Sequence, residues 1–323
     1  MHAPTNRALR RALMKGHSTL TSQHARSDST PCQLCPRLCG ARRGLGERGI
    51  CGADDRLVVA RAALHFWEEP PISGRRGSGT VFFSNCSLGC VYCQNAALSR
   101  GLVGKAIPVE RLAQIFGELQ QAGAHNINLV TPTHYSVEIA AALTLARQAP
   151  TALTIPIVYN TSGYELPRII RGLSSHIDIY LTDFKYASKE LSAAYSGAAD
   201  YPQVAMAALR EMVSQRGDYR TDGDGMLQSG VIVRHLLLPG HLDDAKLVIS
   251  RLFAEFGNAI CYSLMNQYTP MPGVPANLQR KVTESEYSEL IDFALDLGIT
   301  NSFMQEGATA DESFIPPFDL SGV

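Results

Sequence analysis

The sequence predicts an α/β fold, a partial (β/α)6-type TIM barrel of parallel strands, preceded by a small cysteine-rich metal-binding segment. Three observations predict it. From residue 79 onward, short runs rich in β-branched and aromatic residues alternate with stretches of helical periodicity, which is the pattern of repeated βα units and so of a parallel sheet. The carboxyl ends of those runs are polar, and barrels of this kind gather their chemistry there. Seven of the eight cysteines fall into two tight clusters. In a long chain without an export signal, that is metal usage in a reducing compartment rather than a disulfide framework.

Taken in order, residues 1–30 carry Arg7, Arg10, Arg11, Lys15 and Arg26, have no acid before Asp28, and lack the apolar stretch of a secretory signal. They are expected to be a disordered tail, with an organelle transit peptide as the alternative. Residues 31–78 form the cysteine-rich segment and a connector. In "CQLCPRLCGARRGLGERGIC", Cys32, Cys35, Cys39 and Cys51 lie in a Gly- and Arg-rich stretch with no hydrophobic period, a segment with little core of its own that folds around a metal. Four thiolates satisfy tetrahedral zinc and equally a closed [4Fe–4S] cluster, so this second metal is zinc or iron–sulfur. Arg42, Arg43 and Arg48 can offset the thiolate charge. With no open position, and ahead of the first barrel strand, this site is expected to be structural or to relay electrons.

The barrel itself spans residues 79–323. Its strands are expected at 79–85, 126–131, 154–160, 177–184, 230–239 and 259–265. Between the first two, Leu112, Ile115, Phe116 and Leu119 recur at i, i+3, i+4 and i+7, one apolar face of a helix. Similar segments follow each later run, ending with "ESEYSELIDFALDLG" at 284–298.

The strand ends carry the candidate site. In chain order they offer Cys86, Cys90 and Cys93; Thr131, Thr133 and His134; Asn160, Thr161 and Ser162; Asp183 and Lys185; Arg234, His235 and His241; and Asn266 and Gln267. Each has an ordinary explanation as a cap or turn residue, but six polar strand ends on one rim point to a shared site. The loop Cys86-x-x-x-Cys90-x-x-Cys93 cannot close a four-thiolate site locally, because the next thiol is Cys261, inside an apolar strand. Three protein ligands leave one iron of a cubane open for a substrate or cofactor to chelate. Cys261 reads as a buried core thiol, with a hydrogen-donor role as the alternative. His134, His235 and His241 read as structural histidines or as substrate contacts.

Composition narrows the function classes. A 323-residue chain that is 45% hydrophobic, with a formal net charge of -1, suits a globular protein with a sizeable core. It lacks the basic patches that would draw nucleic acid and the ~18-residue apolar run of a membrane span. The expected location is cytoplasmic.

The motif Cys86-x-x-x-Cys90-x-Tyr92-Cys93, directly after the first barrel strand, resembles the signature of radical S-adenosylmethionine enzymes. Within that superfamily, "EEPPISGRRGSGTVFFSNCSLGCVYCQN", "DFKY" and "LLLPGH" are similar to the pyruvate formate-lyase activating enzyme group, in particular to an uncharacterised branch with a four-cysteine amino-terminal segment. The resemblance covers about residues 30–320. It implies that Cys86, Cys90 and Cys93 hold a [4Fe–4S] cluster chelated by S-adenosylmethionine, with Tyr92 against the adenine. It also implies that Lys185 pairs with the methionyl carboxylate and that Asp183 orders a cation beside it.

Three departures from the family pattern stand out. Asn160 replaces an Asp, Thr131-Pro132-Thr133-His134 replaces a Gly-Gly-Glu-Pro type motif, and Asn266-Gln267 replaces a histidine. Thr131, His134, Asn160 and Gln267 are therefore expected to hydrogen-bond the cofactor without carrying charge. The implied activity is reductive cleavage of S-adenosylmethionine followed by hydrogen abstraction from a substrate. A glycyl-radical enzyme or another protein is the favoured substrate, a small molecule is the second reading, and a non-catalytic iron–sulfur carrier is the third. The implied partners are a protein substrate and an electron donor such as flavodoxin or ferredoxin.

Overall fold

A computed structural model describes residues 30–217, 219–305 and 316–323; the tail expected at 1–30 lies, apart from Thr30, outside them. The first strand, β1 (Val58–His65), falls in the stretch that the sequence reading gives to a connector. It leads through the short helix α1 (Pro70–Ser73) into β2 (Ser78–Phe83), the first barrel strand, buried at all six positions. Then follow α2 (Ala96–Ser99), the two-residue β3 (Lys105–Ala106), α3 (Val109–Gln121), β4 (Ile127–Val130) and α4 (Ser136–Gln148). The middle of the chain gives β5 (Ile157–Thr161), α5 (Pro167–Gly172), β6 (Ile179–Asp183), α6 (Lys189–Ser196) and α7 (Tyr201–Arg216). The hairpin β7 (Arg220–Thr221) and β8 (Leu227–Leu236) precede α8 (Leu242–Phe256), β9 (Cys261–Met265), α9 (Glu284–Asp296) and β10 (Ser302–Met304).

The strands form one sheet in the order β10-β9-β8-β6-β5-β4-β2-β1-β3, with β7 paired to β8 outside that path. Every pairing from β2 to β10 along the path is parallel. The sheet is open: β1 adds antiparallel to β2, and β3 to β1. The six expected strands are β2, β4, β5, β6, β8 and β9, and a short seventh parallel strand, β10, extends the edge. Among the described residues, no helix is long and apolar enough to cross a membrane.

Alternation along the strands sorts side chains between two cores. One face of the sheet packs on the helices: Leu129, Tyr159, Tyr180, Val231 and Val233 join the main core with Leu112, Ile115, Phe116 and Leu119 of α3. The opposite, inner face begins with a small apolar cluster of Ile72, Val158, Ile179, Leu181, Ile232 and Cys261. Two residues further along each strand that face turns polar, with Asn160 after Val158, Asp183 after Leu181, Arg234 after Ile232 and Ser263 after Cys261. The apolar cluster thus plugs the barrel, and the polar layer above it floors the site. Cys261 is fully buried within the plug; Ser263, not Cys261, reaches the cavity.

Candidate active site

Above that layer is a cavity of about 570 Å³, within the size range of small-molecule and cofactor sites. Cys86, Cys90 and Cys93 line it together with Tyr92, Thr131, Asn160, Asp183, Lys185 and Gln267. Most of the strand-end residues proposed from the sequence therefore meet in one place, contributed by the carboxyl ends of five parallel strands; Thr133, His134, His235, His241 and Asn266 do not line it. Local conformation aims the cysteines. Asn85 adopts φ 78° and Gly89 φ 68°, left-handed values that Asn and Gly tolerate, so the chain leaves β2 and curls back through the three thiols. Burial pushes the Cys86 thiol up to about 12, with Cys90 and Cys93 adding to the rise. Cys93 is raised for the same leading reason. Three thiols that resist ionisation alone become thiolates when a cationic metal centre joins them.

Polar groups brace this loop. Ser196 donates from its hydroxyl to Cys90 Sγ at 3.0 Å, and Tyr186, 2.8 Å from Ser196, donates to the hydroxyl of Tyr92 at 2.8 Å. Tyr92 is packed edge-on against Tyr186, Tyr195 and Tyr268. Lys185 Nζ lies 2.6 Å from Asp183 Oδ2. Burial works against the lysine charge, but the Asp183 carboxylate, with Cys90 adding, holds its pKa well above the usual lysine range. Gln267 accepts from Gln305 at 3.1 Å, and its carbonyl from Gln94 at 2.9 Å.

The three candidate histidines, His134, His235 and His241, fall outside the cavity. A short turn, Thr133–Tyr135, rotates His134 into the core, where its Nε2 lies 2.8 Å from the carbonyl of Ser84. Burial lowers its pKa to about 3, so it is a neutral structural group rather than a cavity residue. His235 is also buried, with Nδ1 2.8 Å from the carbonyl of Phe184. His241 meets the Tyr195 hydroxyl at 2.8 Å.

Two groups beyond the strand-end residues take part. Glu68 and Glu69, in the loop between β1 and α1, enter the cavity floor and hold Arg234. Glu165, which lies beyond the end of β5 and is fully buried, accepts from Thr133 at 2.5 Å and from Thr161. It ties together the loops that follow β4 and β5.

The amino-terminal cysteines dock on the cysteine loop of the barrel. Arg37, between Cys35 and Cys39, donates to the carbonyls of Ser87 (2.9 Å), Leu88 (3.1 Å), Ser196 (2.8 Å) and Gly197. It thereby clamps the stretch between Cys86 and Cys90 to the end of α6. The buried Arg43 donates to the carbonyls of Asp54 at 2.7 Å and His134 at 2.6 Å. A Cβ at Gly49 would meet the sulfurs of Cys39 and Cys51 at 3.2 and 3.4 Å, so a side chain there would press on both sulfurs. Burial raises the Cys35 thiol to about 12, and the nearby Cys51 and Cys32 add to it. Among the described residues, no three His, Cys, Asp or Glu side chains are drawn tightly enough to hold a single ion as they stand.

Three cysteines line one cavity directly after the first strand of an open parallel barrel. The chain belongs to the Radical SAM superfamily, which is matched over residues 80–244 and implies a [4Fe–4S] cluster and S-adenosylmethionine. It is also 26% identical over 274 residues to an uncharacterized protein of Methanocaldococcus jannaschii, covering 81% of this chain and 74% of that one. Among solved structures it is similar to Streptococcus suis SuiB bound to precursor peptide SuiA, at 13% identity and a TM-score of 0.48 over 68% of this chain. The match spans 46% of the SuiB chain, a little under half its length. Methylornithine synthase (PylB) is similar at 13% identity and a TM-score of 0.44, over 70% of this chain and 72% of that one.

Proposed function

We propose that this radical SAM enzyme is of the pyruvate formate-lyase activating kind and acts on a protein substrate. Cys86, Cys90 and Cys93 would hold the cluster, which with its cofactor supplies one-electron reductive cleavage of a sulfonium and hydrogen abstraction from the substrate. The convergence of these thiols with Lys185 and Asp183 in one cavity carries the reading. The Lys185 ammonium is placed to take a carboxylate, with Asp183 holding it charged until then. Apolar walls from Phe82, Val130, Leu236 and Met265 exclude water. Trp67 lines the cavity while 63% exposed, an apolar lip that suits a polypeptide segment better than a fully enclosed metabolite. Reduction is assigned to a donor such as flavodoxin or ferredoxin.

Anaerobic reconstitution followed by dithionite and S-adenosylmethionine should give 5′-deoxyadenosine. Lys185→Ala should keep its iron and weaken cofactor binding about tenfold or more, a loss of about 1.4 kcal/mol or greater. Unchanged affinity would place the methionyl end elsewhere. Extract from cells grown in heavy water separates the substrate classes. Deuterium should enter 5′-deoxyadenosine from the macromolecular fraction after ultrafiltration; transfer from the filtrate alone would favour a small molecule.

Cys32, Cys35, Cys39 and Cys51 are assigned a second, closed metal site, zinc or iron–sulfur, with a structural or relaying role. Replacing Cys32 and Cys35 by alanine should leave dithionite-driven cleavage in place, because the chemical reductant bypasses a relay. A folded variant with its barrel iron intact but no cleavage would reverse the two assignments.

A further inference from the structure

Arg37 sits on the turn between Cys35 and Cys39, yet four of its five donors go to carbonyls of other segments. Nε donates to Ser87 at 2.9 Å and Nη2 to Leu88 at 3.1 Å, both inside the Cys86–Cys90 stretch. Nη2 also donates to Ser196 at 2.8 Å, and Nη1 to Gly197. These two carbonyls close α6, whose cap Gly197 turns left-handed at φ 56°. The last carbonyls of a helix lack partners within it and form its negative end, so a cation fits there. Ser196 in turn donates from its hydroxyl to Cys90 Sγ at 3.0 Å, and the Val91 amide donates to the carbonyl of Tyr195 at 2.8 Å. One side chain of the amino-terminal segment thus holds together the two pieces of chain that place the Cys90 sulfur.

The direction of Arg37 is set by its turn. Leu38 N donates to the carbonyl of Cys35 at 3.1 Å, and Gly40 N to that of Cys32 at 3.2 Å. Leu38 is 55% exposed and adopts φ 42°, a left-handed value that costs energy in any residue with a Cβ and persists only where the surroundings over-determine the backbone. A side chain so exposed gains little from packing that could offset this cost. The thiols of Cys35 and Cys39 flank the pair Arg37-Leu38, and a metal joining them closes the turn that aims the guanidinium.

We propose that Arg37 couples the two cysteine sets. Metal on Cys32, Cys35, Cys39 and Cys51 fixes the turn, and the guanidinium then holds the Cys86–Cys90 stretch against α6 in the arrangement that retains the barrel cluster. Arg37 acts through backbone carbonyls rather than on sulfur, as a positioning residue. Its planar fork matters as well as its charge, because a lysine cannot span the same four carbonyls. The coupling is reciprocal, so a loaded barrel set also favours metal on the amino-terminal set.

The coupling rests on the assignments of a cluster to the barrel thiols and a closed metal site to the amino-terminal ones. Reconstituted full-length wild type is compared with Arg37→Gln, with the Cys32→Ala/Cys35→Ala pair and with the triple variant. Each freshly loaded protein is exposed to EDTA, and the half-life of the barrel cluster is read from the electron-spin signal that changes on adding S-adenosylmethionine, since only a cluster with an open iron answers to it. The wild type should keep this cluster about tenfold longer than either Arg37→Gln or the cysteine pair. Where the amino-terminal metal cannot bind, Arg37→Gln should change the half-life less than about twofold. Arg37→Lys should behave like Arg37→Gln and replaces it if that variant does not fold. Cys39→Ser/Cys51→Ser, the less buried half of the set, replaces the first cysteine pair in the same way. An Arg37 effect of equal size in both backgrounds would make it a simple docking contact and overturn the coupling. Equal half-lives in the wild type and the cysteine pair would also overturn it, and both results leave the radical chemistry standing. A wild type without any cluster that responds to S-adenosylmethionine overturns the reading of the cavity and the coupling with it.

Discussion

Replacing Arg234 by methionine should cost about 3–5 kcal/mol of stability at neutral pH, the usual consequence of stripping a buried ion pair of one partner. Methionine fills much the same volume but leaves Glu68 and Glu69 facing each other without a cation. In the native protein, burial alone would raise Glu69, yet the charge of Arg234 and its hydrogen bonds win and hold that carboxyl below the ordinary glutamate range. The stability this gives is present above the unfolded-state pKa, near 4.5, and is lost as pH falls through the depressed folded value. In the variant the same carboxylates take up protons more readily, so lowering the pH should narrow the gap between the two proteins. Urea unfolding at pH 7.5 and at pH 5 measures both quantities. A loss under about 1 kcal/mol at pH 7.5 would mean that the guanidinium does not carry the floor of the cavity.

That floor shows where sequence reasoning runs out. The six barrel strands and the helix face on α3 were legible because periodicity is local, and the three cysteines were legible because their spacing is local too. Glu68 and Glu69 precede two prolines and look like solvated acids ahead of a turn. Only the antiparallel addition of β1 to β2, pairing Leu64 with Gly79 and His65 with Ser78, swings them into the barrel mouth. The strand β1 was hidden for a similar reason: "VVARAALH" mixes polar and apolar residues at an edge, and its partner is reached only through the α1 turn. His134 erred the other way. Its place beside Thr131 and Thr133 suggested the rim, but one tight turn sends it to the Ser84 carbonyl.

Glu165 provides the second large effect, and its sign is opposite to that of an ordinary buried ion pair. Burial raises its pKa to about 7, against the hydrogen bonds from Thr133, Thr161 and Tyr159, which lower it. Among the described residues no cation is bonded to it, and its second oxygen has no hydrogen-bond partner. The folded protein therefore binds this proton more tightly than the unfolded chain, whose glutamate titrates near 4.5. Stability from the neutral acid is fully present below that value and drains away as pH rises through about 7. A difference of about 2.5 pKa units corresponds to about 3 kcal/mol. Glu165→Gln keeps the acceptor for the two threonines and never ionises. It should match the wild type at pH 4.5 and exceed it by about 3 kcal/mol at pH 8.5, with the advantage building between the unfolded and the folded pKa and levelling off above about 7. An advantage that does not vary with pH would show that Glu165 titrates alike in the folded and the unfolded chain. Because Thr133 and Thr161 hang on this carboxyl, the native enzyme should also loosen the loops after β4 and β5 in alkaline solution, and Thr131 and Asn160 of the cavity lie within two residues of them.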